Sequence, residues 1–102
     1  MKVEIAYSTI SRLRGLLGRK ECPDALLLTR CNDIHTFGMR HAIDVAFLAA
    51  DGTVLEVYRG LGARCRVRCK QADSTLERLA EDTPWFERGD RVDLKRLVQE
   101  SL

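Results

Sequence analysis

Apolar and polar positions alternate, bunch together and alternate again along this chain, and each change of period marks an element. Val3 and Ile5 alternate with Lys2, Glu4 and Ala6, which predicts a first strand over residues 2–7. Ile10, Leu13, Leu16 and Leu17 then recur at helical spacing behind Ser8 or Thr9 as N-cap, with Arg12, Arg14 and Arg19 outside the stripe. Gly18 would close that helix. Gly15 inside it costs about 1 kcal/mol relative to Ala, which suits close packing of a helix on a sheet. After a turn at Pro23-Asp24, Ala25-Leu-Leu-Leu-Thr29 is an unbroken apolar run, the pattern of a strand buried on both faces. Residues 31–42 are polar and read as irregular. Ile43 to Ala49 predict another buried strand, Asp51-Gly52 is a hairpin signal, and Thr53 to Tyr58 is the return strand.

The second half is less regular. Gly60 and Gly62 mark a bend or bulge. Ala63, Cys65, Val67 and Cys69 alternate with Arg64, Arg66, Arg68 and Lys70, so a strand here turns its apolar set inward and its basic set outward. Residues 72–80 stay open, because Ala72, Leu76, Leu79 and Ala80 suit a helix. Pro84 to Asp90 is a turn carrying Trp85 and Phe86. These two could mark a partner surface, but such residues more often plug one end of a barrel. Arg91 to Leu94 predicts a last strand, and Lys95 to Leu102 a short helical tail.

Composition narrows the class. One domain spanning 1–102 is the expectation, with 45% hydrophobic and 31% charged residues, an ordinary globular balance. No apolar run approaches the roughly 18 residues of a membrane span, and the alternating N-terminus lacks the apolar core of a signal peptide. The expected location is therefore cytoplasmic, where cysteines stay reduced. Seventeen basic and 15 acidic side chains leave a formal net charge of +2, too balanced to imply nucleic acid. Arg59, Arg64, Arg66, Arg68 and Lys70 form a local basic run without an acid. Charged residues on an edge strand discourage aggregation. Tyr58 is the only aromatic residue nearby in sequence, so the stacking groups of a nucleic-acid binder are missing. The partner expected is an unknown small molecule or protein, with no nucleic acid, no membrane and a monomer or weak dimer.

Several segments resemble a known family. Arg14-Gly-Leu-Leu-Gly-Arg19 is similar to its opening helix. Ile34-His-Thr-Phe-Gly-Met-Arg40, Ile43-Asp-Val-Ala-Phe47 and Asp51-Gly52 are similar to its central signature, and Leu76-Glu77 with Gly89-Asp90 to its closing elements. The family is the one catalogued as domain of unknown function 192. The resemblance runs from about Ala6 to Leu94. It implies a mainly β (α+β) fold: a compact antiparallel barrel-like sandwich with one or two short flanking helices, and a strand rather than a helix at 72–80. Counting strands from the pattern gives six or seven. Where the family usually has Leu-Glu-Leu-Pro-Ala-Gly, this chain has Leu76-Glu-Arg-Leu-Ala-Glu81, which puts the turn geometry there in question. Cys65 and Cys69 have no counterpart in the family pattern.

The candidate chemistry concentrates in residues 31–44. Cys31, His35, Met39, Arg40 and Asp44 crowd between two apolar runs, and buried polar groups require partners. Asp44 opens an apolar strand, and Arg40, four residues back across a turn, is a plausible partner. The expected ligand-binding residues are His35, Met39, Arg40, Asp44 and, from the family resemblance, Glu77. His35 would act as the ligand-binding or acid–base group. The plain alternative is a satisfied polar network that fixes a loop.

Metal is a weaker reading. Cys31 and His35 are spaced C-x3-H and Cys65 and Cys69 C-x3-C, but residues four apart on a strand stand about 13 Å from each other. A Cys31 nucleophile with His35 or His41 as base, oriented by Asp33 or Asp44, would need hydrogen-bond contact. Nucleophile elbow, phosphate loop and dinucleotide fingerprint are all missing. We expect no cofactor and no metal, and catalytic residues stay unassigned. The preferred function is a non-enzymatic small-ligand-binding or accessory module with a polar groove around His35, Arg40 and Asp44. The alternatives are a small hydrolase-like or metal-dependent enzyme using the same cluster, and a protein–protein adaptor of an envelope or secretion apparatus.

Overall fold

In the computed structural model, residues 2–5 and 24–100 are described. Seven strands are seen there: β1 (Val3–Ile5), β2 (Ala25–Thr29), β3 (Asp33–His35), β4 (Ile43–Leu48), β5 (Val54–Leu61), β6 (Arg66–Arg68) and β7 (Ser74–Leu79). One helix, α1 (Leu94–Glu100), follows them. The helix predicted from Ile10 to Leu17, its Gly15 and Gly18, and Cys22 lie outside the described residues.

The strands form two sheets. A five-stranded sheet has the order β1-β2-β7-β4-β5, and β3 and β6 make a separate two-stranded ribbon. β1 runs parallel to β2, while every other pairing is antiparallel. The expectation of a barrel-like sandwich is thus met only as far as mainly β. Among the described residues, β1 and β5 are the edges of the large sheet, and the ribbon does not join it into a closed ring.

The two buried strands read from unbroken apolar runs are central. β4 is buried at all six positions and β2 at its first four. A strand between two packed layers has no solvent face, so it needs no polar alternation. One core lies between the large sheet and the ribbon and holds Leu26, Leu28, Ile34, Met39, Ile43, Val45, Phe47 and Cys69. The other covers the opposite face, with Val3, Leu27, Ala46, Leu48, Val54, Leu76, Val92 and Leu97. Trp85 and Phe86 are half-buried and pack against this second core, at the side of an open sheet and not in the end of a barrel.

The ambiguous stretch at 72–80 is strand β7, in register with β2 on one side and β4 on the other. Its apolar spacing imitates a helix because Thr75, Glu77 and Arg78 occupy positions that burial would normally give to apolar side chains. The strand predicted at 91–94 is corrected. Arg91 makes one isolated bridge to Thr53, and the chain then turns into α1. Asp93 is the cause: its carboxylate accepts the Arg96 amide N–H at 3.1 Å and caps the helix. Residues 31–42, read as wholly irregular, contain β3. At Asp51-Gly52 the expected turn forms. Gly52 has φ +90° and sits so close to the Val92 carbonyl oxygen that a Cβ would collide with it.

Candidate functional site

Strand alternation separates the residues that the sequence crowds together. Asp44 lies opposite Arg78 and Val45 opposite Glu77 in the β4–β7 register. Successive residues of a strand point to opposite faces, so Asp44 and Glu77 are on opposite sides of the large sheet. Glu77 shares its face with Leu26, its partner on β2, and therefore looks into the core beneath the ribbon. His35 stands on neither side. It lies on the outer surface of the ribbon, while its neighbour Ile34 turns inward to that core. Met39 belongs to the core, and Arg40 is exposed in the loop after β3. The five expected ligand-binding residues thus occupy three layers.

Asp44 is 1% exposed, and its carboxylate is fully engaged. The partners are not the expected Arg40. Oδ2 meets Arg78 Nε at 2.9 Å and Oδ1 meets Arg59 Nε at 3.2 Å. Oδ1 also accepts the Gly60 amide at 2.9 Å, and Oδ2 accepts the Glu81 amide at 3.3 Å. The register shows why. Ile43 pairs with Leu61 and Val45 with Tyr58, so Asp44 faces two residues of β5, a bulge. Gly60 takes the left-handed conformation there, with φ 62°. The bulged amide has no ladder partner, and the carboxylate supplies one. Burial alone would push the Asp44 carboxyl up in pKa. The hydrogen bonds from Gly60, Arg78 and Glu81 and the nearby Arg59 charge outweigh burial and hold it below the usual carboxylate range.

The same two arginines settle the turn where the chain departs from the family pattern. Arg59 donates to the Glu81 and Thr83 carbonyls at 3.0 and 2.8 Å, and Arg78 donates to the Thr83 carbonyl at 3.0 Å. Arg78 also lies 4.6 Å from the Trp85 ring centroid, so its charge is held on an aromatic face. Side-chain clamps do here what a Pro-Gly turn would do by backbone preference.

The ribbon is the contrasting region. Its register sets Asp33 opposite Arg68, Ile34 opposite Val67 and His35 opposite Arg66. Directly opposed residues share a face, so Asp33, His35, Arg66 and Arg68 make the outer surface. Arg66 grips Asp33 with both ends of its fork, Nε to Oδ1 at 3.0 Å and Nη2 to Oδ2 at 2.6 Å. That hydrogen bond lowers the Asp33 pKa and raises that of Arg66. Phe37 is 50% exposed, and its ring centroid is 5.5 Å from that of His35. Arg64, Arg68 and Lys70 are exposed, and Val67 and Cys69 pack on the core beneath, as the alternation predicts. The alternation fails N-terminal to β6: Ala63 is exposed, Arg64 turns at φ 56°, and Cys65 is only half-buried.

Thr36 joins the two regions. It is fully buried, donates its hydroxyl to the Gly62 carbonyl at 2.6 Å and accepts the Cys65 amide at 2.9 Å. From Thr75 on β7, a hydroxyl reaches the Cys31 carbonyl at 2.8 Å. Thr36, Phe37, Arg59, Arg66, Arg68 and Arg78 were absent from the expected site. Arg66 and Arg68 were legible only as outward positions, because their partner strand β3 is three residues long and shows no period.

The metal and nucleophile arrangements do not assemble. His35 faces out while Cys69 is buried in the core beneath, and among the described residues no three His, Cys, Asp or Glu side chains converge as metal ligands. The Cys31 thiol donates to the Asp33 carbonyl at 3.5 Å and the Cys65 thiol to the Ala63 carbonyl at 3.5 Å, so neither is bonded to a histidine. Two concavities, of about 500 and 470 Å³, are lined around Asp51 and Arg91 and around Leu27 and Ser74, away from His35. No helix among the described residues is long and apolar enough to cross a membrane.

Comparison with known proteins agrees with this picture of the fold. Residues 1–93 match the family model of DUF192, described as an uncharacterized ACR. No curated protein matches the chain. Among solved structures, the chain is similar to a protein of unknown function from Novosphingobium aromaticivorans DSM 12444, determined at 1.22 Å resolution. The TM-score is 0.57 at 16% identity, over 76% of this chain. The match covers 62% of that longer protein, and the likeness shows the fold alone.

Proposed function

The chain belongs to the domain of unknown function 192 family, and from that premise we propose that it is a non-enzymatic binding or accessory module whose ligand-binding surface is the outer face of the β3–β6 ribbon. His35 and Arg40 meet the ligand. Met39 backs the loop from the core, and Asp44 and Glu77 act from inside the sheet by fixing the strands that carry the loop. The ligand is anionic.

The observation that carries this reading is the ribbon's register. It puts His35 against Arg66 and leaves Arg68 outward, with Asp33 the one acid among the four. An acid–base catalyst would need a second reactive group in contact with His35. No hydrogen bond to such a group is seen at the His35 ring among the described residues; Asp33 on the same face is held by Arg66, and the ring neighbour of His35 is Phe37, which offers a stacking face. The test is a titration of the ¹⁵N-labelled protein with pyrophosphate and citrate. Amide shifts confined to residues 33–40 and 64–70, and lost in His35→Ala, support the module. Shifts confined to the two concavities, or no shifts at all, exclude this face.

A further inference from the structure

We propose that the partner of this face is single-stranded nucleic acid, lying along the β3–β6 ribbon with its phosphates toward Arg66 and Arg68 and a base on Phe37. The inference rests on the ribbon being the binding surface. In sequence, the basic run from Arg59 to Lys70 lacks nearby aromatic rings other than Tyr58, which is the reason to set nucleic acid aside. The fold removes that reason. β3 pairs with β6, so a chain segment some thirty residues upstream brings His35 directly opposite Arg66, and Phe37 follows two residues later. A half-exposed phenyl ring beside an imidazole is thereby set at the end of a cationic strand.

Charge and geometry select the occupant. Arg64, Arg66, Arg68 and Lys70 all face solvent; Asp33 grips Arg66 and lies directly opposite Arg68, so one acid faces four cations. Arg66 and Arg68 are two residues apart on one strand face and so stand about 7 Å apart. That is the order of spacing between successive phosphates in an extended single strand. A compact anion such as phosphate would use one of these arginines and leave the rest of the row idle. An acidic peptide could occupy the row but would have no use for an exposed phenyl ring. Every base has a π-face, and base–aromatic stacking tolerates any sequence. A duplex fits less well, because a short flat ribbon with one ring offers nothing to insert between paired bases. Thr36 ties the start of the loop that carries Phe37 to the Gly62 carbonyl and the Cys65 amide, beside the residue that precedes Arg66.

The experiment is fluorescence anisotropy with fluorescein-labelled (dT)20 and (rU)20 at increasing NaCl, on the full chain. Arg68→Glu and Phe37→Ala are the ribbon variants. Arg88→Glu, exposed on the loop before Gly89, is the charge-matched control. Thermal melts establish that each variant is folded. We expect (dT)20 to bind with an affinity that falls steeply with salt. Arg68→Glu and Phe37→Ala should each weaken it by about tenfold, the latter through lost stacking, and Arg88→Glu by less than about twofold. Equal weakening by Arg88→Glu overturns the proposal, since binding would then be diffuse. If polyglutamate or pyrophosphate displaces (dT)20 at matched charge concentration and Phe37→Ala changes nothing, the ribbon still binds anions but the partner class is wrong. If no anion binds, the partner and the binding face fall together.

Discussion

The large sheet and the β3–β6 ribbon both carry charged pairs of opposite sign, yet the pairs have opposite consequences. In the sheet, Asp44 is 1% exposed and gives every carboxylate direction to Arg59, Arg78 or a backbone amide. Nothing is left for a ligand. On the ribbon, Asp33 and Arg66 satisfy each other in solvent, where such a pair contributes little to stability and its members remain available. A dense run of polar residues in sequence is therefore not a site by itself. Accessibility after folding divides it into a part that holds the fold and a part that can meet something else. Residues 31–47 supply both parts because the chain passes from the ribbon into the central strand within eight residues.

The sharpest way to break this comparison is to neutralise the buried acid. Asp44→Asn keeps the shape but leaves Arg78, only 10% exposed, facing an amide. Removing one partner of a buried ion pair strands the other, so urea unfolding should show a loss of about 3 kcal/mol. A loss below about 1 kcal/mol would mean that Arg59 and Arg78 find water instead, and that Asp44 is less committed to the fold than its contacts imply.

Acid gives a second, smaller test of the same group. The Asp44 pKa is depressed in the folded chain. Its contribution to stability is therefore complete above the unfolded carboxylate value near 4, and fades as pH falls through the lower folded value. The stability gap between the native protein and Asp44→Asn should stay constant from about pH 8 to pH 5 and shrink below about pH 4. Urea melts across that range measure it. A gap that persists undiminished at pH 2 would assign the effect to packing rather than charge.

Thr36 lies between the two regions, and Thr36→Val removes its hydroxyl while keeping its volume. The Gly62 carbonyl and the Cys65 amide then lose a buried partner, at a cost of about 1–2 kcal/mol. Hydrogen exchange should rise at Cys65 and along β6 while β4 keeps its protection. Equal loosening of β4 would show that ribbon and sheet open as one unit, and the division drawn between them would fail.

How much of this was legible in the sequence follows from what each element needed. β2 and β4 were plain because burial on both faces writes an unbroken apolar run. β6 was visible as alternation, and the outward direction of its arginines with it. β7 was not decided by its pattern, since Glu77 and Arg78 occupy buried or half-buried positions and break the strand period. β3 was invisible because three residues carry no period, and with it went the pairing of His35 with Arg66. Asp44 was singled out correctly as a carboxylate that must be satisfied. Its partners came from β5 and β7, at separations of 15 and 34 residues that no local spacing encodes.

The most delicate test concerns Asp33. As the acid that engages Arg66, it should oppose a polyanion, and removing its charge should strengthen binding instead of weakening it. In Asp33→Asn the amide oxygen can still accept one hydrogen bond from Arg66, so the guanidinium stays near its position while its charge is freed. The urea midpoint should not move, since the pair is solvent-exposed. The affinity for (dT)20 should rise, and the log–log salt dependence should steepen by about 0.7, the increment for one more phosphate contact on a single strand. A fall in affinity would reverse the reasoning: Asp33 would then be needed to aim Arg66, and the exposed pair would be a preorganised part of the binding surface. Either direction separates the ribbon from the sheet. Asp44 is expected to register in stability alone, and Asp33 in binding alone.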